Sequence, residues 1–172
     1  MKIKLLPILT ALLFICITPL YAEIKCSIEG EQLVLNFKSV NYRTEVTGNA
    51  VTHQFQKKNK AYFEVHINPS ISELVIFNLK TKKFETFLYT RYFINSRMDI
   101  LTIIDPPHFS SEEESLVKEI TVNGVSVCSF NKADDIDVKI KAAKFEIYSD
   151  NKRIGYISGN KDGWIYREYR HN

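Results

Sequence analysis

Apolar residues recur at every second position through most of the chain. Leu33, Leu35 and Phe37 alternate with Asn36 and Lys38 in the run from Gln32 to Val40. Phe63, Val65 and Ile67 face one way between Ala61 and Ile67, and Tyr62, Glu64 and His66 face the other. Ile136, Val138 and Ile140 alternate with Asp137, Lys139 and Lys141 in the run to Ala142. A period of two predicts strands with one buried and one wet face. Leu74 to Leu79 and Ile100 to Ile104 are nearly continuous apolar runs, which predicts strands covered on both faces. Phe84 to Ile94 reads as one long aromatic-rich strand with a bend in it.

Turn residues separate these runs at short intervals. Asn123-Gly124 between two β-branched runs is a strong hairpin signal. Asp150 to Lys152, Gly159 to Gly163, Gly48-Asn49 and Thr81 to Lys83 mark further turns. The expectation is an all-β fold of about nine to eleven strands, either an antiparallel sandwich or a meandering β-barrel. One segment departs from the pattern. After Pro106-Pro107, Ser110 or Ser111 with Glu113 or Glu114 forms a capping box, predicting a short helix near 110–118.

The N-terminus has a different character. Lys2 and Lys4 precede an apolar stretch that ends in Pro19 to Ala22. This is the form of a secretory signal peptide over residues 1–22, cut before Glu23. The alternative is an uncleaved anchor, but the stretch falls short of the ~20 residues a spanning helix needs and contains two prolines. A single all-β domain over 23–172 then remains, periplasmic or secreted, with no transmembrane segment.

Removal of that segment changes the charge. The chain has 23 basic and 20 acidic residues. Losing Lys2 and Lys4 leaves a balance of +1, which gives no electrostatic footprint for nucleic acid. It also removes Cys16, leaving Cys26 and Cys128 as an even pair in an exported chain, for which a disulfide is the expectation. The pairing closes a loop of about 100 residues, worth about 4–5 kcal/mol in the chain-entropy picture. There is a conflict in it. With a tight Asn-Gly turn, Val125 and Val127 share the face of Ile120 and Val122, and Cys128 points the other way. Either that second face is covered or the turn is not a simple two-residue one.

Motifs with chemistry are scarce. Ser115 to Lys118 matches S-x-x-K, but its companion motifs S-D-N and K-T-G are absent. His53, His66, His108 and His171 show no metal-ligand spacing, and Glu64 shares a face with His66 on a strand side expected to be solvated. No cofactor, metal or catalytic set is predicted. The unusual feature is the C-terminal stretch, where Tyr148, Tyr156, Trp164, Tyr166 and Tyr169 mix with Arg153 and Arg167. Tyr, Trp and Arg dominate binding hot spots, and they also fill β-sheet cores. Alternation puts Trp164, Tyr166 and Glu168 on one face and Ile165, Arg167 and Tyr169 on the other.

Tyr156, Trp164, Tyr166, Arg167 and Tyr169 are therefore the candidate binding residues. The function expected is an exported binding module that recognises another protein in the envelope or outside the cell, such as a hydrolase or toxin that it inhibits. A structural subunit of a surface assembly and a small barrel holding an apolar ligand are the alternatives.

Overall fold

The computed structural model describes residues 24–105 and 117–169. Among these residues the secondary structure is entirely β, with fifteen strands and no helix. They form four antiparallel sheets in chain order, and no closed barrel. Sheet A contains β1 (Lys25–Glu29), β2 (Gln32–Phe37) and β3 (Val40–Glu45). Sheet B contains β4 (Ala50–Lys57), β5 (Lys60–Asn68), β6 (Ile71–Asn78) and β7 (Phe84–Tyr89). Sheet C contains β8 (Arg91–Ile94), β9 (Ile100–Ile104), β10 (Val117–Val122) and β11 (Val125–Asn131). Sheet D contains β12 (Ile136–Lys141), β13 (Lys144–Ser149), β14 (Lys152–Asn160) and β15 (Gly163–Glu168).

The sheets pack face on face. Leu33, Leu35 and Phe37 of sheet A meet Phe63, Val65, Val75 and Phe77 of sheet B in one core. Tyr62, Leu74, Ile76 and Tyr89 on the opposite side of sheet B meet Ile100, Tyr92 and Ile94 of sheet C. Leu101, Ile103, Ile120 and Val122 of sheet C meet Val138, Phe145, Ile147 and Ile157 of sheet D. Sheets B and C are thus interior layers, and β6 and β9 are covered on both sides, as their continuous apolar runs predict.

Strands outnumber the expectation because several hairpins turn without Gly or Asn. Lys38 and Ser39 both take the left-handed conformation, φ 53° and 63°, so Gln32 to Val40 is a strand, a turn and the start of the next strand. Ala142 does the same at φ 54°, ending β12 one residue earlier than the alternation suggests. Such dihedrals are costly for residues with a Cβ and leave little composition signal. The bend expected within Phe84 to Ile94 is a change of sheet at Thr90, from B to C. The helix expected near 110–118 falls outside the described residues, except for Val117 and Lys118, which belong to β10. Ser115 of the S-x-x-K match lies outside them too, and Lys118 donates to the carbonyl of Asp134.

The second face of β5 is not wet. Glu64 accepts a hydrogen bond from Tyr92 Oη at 2.5 Å, across the interface between sheets B and C. Tyr89 has its phenol pushed up to about 12, by burial first and by the Glu64 charge second. Glu64 thus pairs with Tyr92 of the next layer, not with His66.

Cys26 and Cys128 are not joined by a disulfide; both are free thiols. Cys26 packs into the core between sheets A and B, and Cys128 into the core between C and D, with sheet B intervening. The parity conflict is resolved by a β-bulge. Asn123 and Gly124 form the tight turn, φ 50° and 79°, with Val122 opposite Val125. Register then shifts, so that Thr121 faces Ser126 but Ile120 faces Cys128. The extra residue, Val127, swings Cys128 onto the core side. Burial pushes the Cys128 thiol up to about 11 and raises that of Cys26. Purified under non-reducing conditions and denatured, the chain from Glu23 onward is expected to show two reactive thiols by Ellman titration. In the native state, modification is expected to be at least tenfold slower. A thiol count of zero after denaturation contradicts this geometry.

Candidate functional site

Sheets A and D each have one face turned away from the stack, and neither carries a core cluster among the described residues. They differ in chemistry. On sheet A, Lys25, Ser27 and Glu29 of β1 share the outer face with Gln32 and Asn36 of β2 and with Asn41, Arg43 and Glu45 of β3. Arg43 reaches Glu29 at 3.1 Å and Gln32 at 3.2 Å, and Asn36 bonds Asn41 at 2.8 Å. Basic and acidic side chains balance there, and no aromatic ring is present.

The outer face of sheet D is basic and aromatic. Cross-strand pairing places Lys139 opposite Glu146, Glu146 opposite Tyr156, and Tyr156 opposite Arg167. Lys141 stands opposite Lys144, and Asp137 opposite Tyr148. A second bulge, between Ile147 and Tyr148, brings Arg153 opposite Tyr148. Five basic side chains thus face two acidic ones, with three tyrosines among them.

Each tyrosine carries a cation. Lys139 Nζ lies 4.4 Å from the Tyr148 ring centroid, Lys144 Nζ 4.9 Å from that of Tyr156, and the Arg153 guanidinium 4.2 Å from that of Tyr169. Tyr156 and Tyr169 pack ring to ring at 5.6 Å. Glu146 sits beneath them. Its Oε2 accepts from Tyr148 Oη at 3.1 Å, and its Oε1 accepts from Arg153 at 3.0 Å, with Lys141 Nζ at 3.8 Å. Glu146 is 9% exposed, and among the described residues its partners on this face are neighbours on the same sheet. Burial works to raise its pKa, but the Tyr148 hydrogen bond, Lys141 and Arg153 outweigh it and hold the carboxyl below its ordinary value of 4.5. Burial and Glu146 together raise the Tyr148 phenol.

A carboxyl with a lowered folded-state pKa stabilises the fold above its ordinary pKa and loses that contribution as pH falls through the folded value. Glu146→Gln is therefore expected to flatten the loss of stability below pH 4.5, compared with the unsubstituted protein. Urea midpoints measured between pH 6 and pH 3 check this.

The five candidate residues divide between the two faces of sheet D. Tyr156, Arg167 and Tyr169 lie outward. Trp164 and Tyr166 turn inward. Tyr166 meets Phe130 edge to face at 5.6 Å, and Trp164 lies 6.3 Å from Phe145. Gly155 makes room for the Tyr166 ring, since a Cβ there would stand 2.5 Å from it. The outward face also contains Glu146, Lys139 and Lys144, which sequence reasoning did not single out. Their signal is cross-strand register, which exists only once the hairpins of sheet D are in place.

Among the described residues no group of His, Cys, Asp and Glu could hold a metal ion, and no helix is long and apolar enough to cross a membrane. No protein-family model matches the chain, and no curated protein matches it.

Proposed function

We propose that this chain is an exported, non-catalytic recognition module, periplasmic or secreted, that binds another protein through the outer face of sheet D. A hydrolase or toxin held inactive by this contact is the partner type that fits such a module. One observation carries the reading: among the described residues, of the two outward sheet faces only that of sheet D combines tyrosines with a surplus of positive charge. Tyrosine supplies amphipathic contact area at low entropic cost, and arginine supplies paired donors for carboxylates. The partner surface is accordingly acidic. The Glu146 network fixes the basic side chains before binding, which lowers the ordering cost of association.

A doubly substituted Tyr156→Ala, Arg167→Ala protein is expected to lose about 100-fold in affinity, about 3 kcal/mol, for the partner captured by the parent chain from envelope or culture extract. Binding is also expected to weaken as ionic strength rises. A folded double variant that retains every captured partner contradicts the assignment of this face.

A further inference from the structure

On the opposite side of sheet D, a cavity of about 460 Å³ opens between the β14–β15 hairpin and the turn that joins β8 to β9. It is lined by Trp164, Gly159, Asn160, Lys161 and Gly163 from the hairpin, and by Arg97 and Asp99 from the turn. The recognition face does not include any of these residues. We propose that this cavity binds a sugar ring bearing an acidic group.

Three features carry the inference. The first is the wall. Trp164 is the only tryptophan of the chain, and the two glycines beside it leave bare backbone. A Cβ at Gly159 would meet three atoms of the indole at 3.3, 3.4 and 3.5 Å, so the strand lies close against the ring. A planar indole bordering a cleft matches the flat C–H face of a pyranose.

The second is a carboxylate held in place. Asp99 Oδ2 accepts from Asn95 Nδ2 at 2.9 Å, and its Oδ1 from Asn123 Nδ2 at 3.3 Å. Asn95 is 1% exposed and is itself fixed by the Arg97 and Asp99 amides and by the Ala143 carbonyl. Each Asp99 oxygen keeps further lone-pair capacity for a ligand hydroxyl. A carboxylate orienting hydroxyls beside an aromatic wall is a carbohydrate-binding arrangement.

The third is charge. Arg97 and Lys161 are exposed, and among the described residues neither makes an ion pair. Two cations against one carboxylate leave the cavity positive, and it favours a sugar with a carboxylate of its own.

Because Trp164 is the sole tryptophan, its fluorescence reads this cavity directly. The test is a titration of the folded protein from Glu23 onward with trigalacturonic acid, maltotriose and inorganic phosphate. The expected result is a saturable change with trigalacturonic acid alone. Arg97→Ala with Lys161→Ala, both exposed positions, is expected to weaken it at least tenfold, and Tyr156→Ala to leave it unchanged. No saturable response at millimolar trigalacturonic acid overturns the proposal. An equal response to phosphate overturns the sugar ring, and an equal response to maltotriose overturns the acidic group. Loss of binding in Tyr156→Ala would move the site to the outer face and overturn the cavity.

Discussion

Phe145→Ala is expected to destabilise the protein by about 3–5 kcal/mol, the range for a fully buried phenylalanine replaced by alanine. Phe145 has no exposed surface and stands in β13, an interior strand of sheet D. It packs in the core that joins sheet D to sheet C, with Leu101, Ile103 and Ile120 in the same cluster and Trp164 beside it. Backbone pairing on both sides, with Ile140 and with Ile157, limits how far the sheet can collapse into the space left. The loss is therefore of transfer energy and of packing together. Urea unfolding followed by Trp164 fluorescence reports it, as a lower midpoint with an unchanged slope. A cost below about 1 kcal/mol would mean that sheets C and D do not share this core.

Asn95→Ala is expected to cost about 3 kcal/mol through polar groups and not through volume. Asn95 Oδ1 accepts from the amides of Arg97 at 2.9 Å and Asp99 at 3.0 Å. Its Nδ2 donates to Asp99 Oδ2 at 2.9 Å and to the Ala143 carbonyl at 3.1 Å. The side chain thus ties the β8–β9 turn to the β12–β13 turn, one in sheet C and the other in sheet D. The Ser96 amide adds a bond to the Ala142 carbonyl at 3.2 Å. Truncation leaves several of these groups unpaired, each costing about 1–3 kcal/mol where water cannot replace the partner. Asn95→Asp keeps the acceptor but sets a carboxylate against Asp99 and a carbonyl, so it is expected to be no better than alanine. Thermal melts of both variants check this; an aspartate variant as stable as the parent contradicts the network.

These two residues also show what was legible in the sequence. Phe145 lies on the apolar side of a recognisable strand, and alternation alone marks it as core. Asn95 sits in a turn with no strong signal, and its four bonds depend on two sheets meeting. The same divide runs through the fold. Strands with clean alternation, such as β12, or continuous apolar character, such as β6 and β9, are visible in one dimension. β3 and β4 are too polar to stand out, and the turn at Lys38-Ser39 uses residues that do not advertise a left-handed backbone. The covered second face of β5 was hidden for another reason. Glu64 reads as solvated until Tyr92 of the next layer is brought against it.

In the candidate site, alternation separates Arg167 and Tyr169 from Trp164 and Tyr166, provided that β15 stays regular. It does, pairing with β14 without a shift, whereas the side of Tyr156 follows from its pairing with Arg167. The bulges elsewhere break the parity on which such reading depends. One shift carries Cys128 onto the core face, and another sets Arg153 opposite Tyr148. The disulfide expectation failed because an even cysteine count carries no information about layers, and sheet B stands between the two thiols.

The recognition face is tested most directly by site-specific photocrosslinking in the native cell. A photoreactive amino acid at Ser158, opposite Ile165 on the outer face of sheet D, is compared with one at Asn36 on the outer face of sheet A. A discrete protein adduct is expected from position 158 that disappears when Tyr156→Ala and Arg167→Ala are added, and none from position 36. Adducts that form equally from both positions, or only from position 36, would contradict recognition through sheet D.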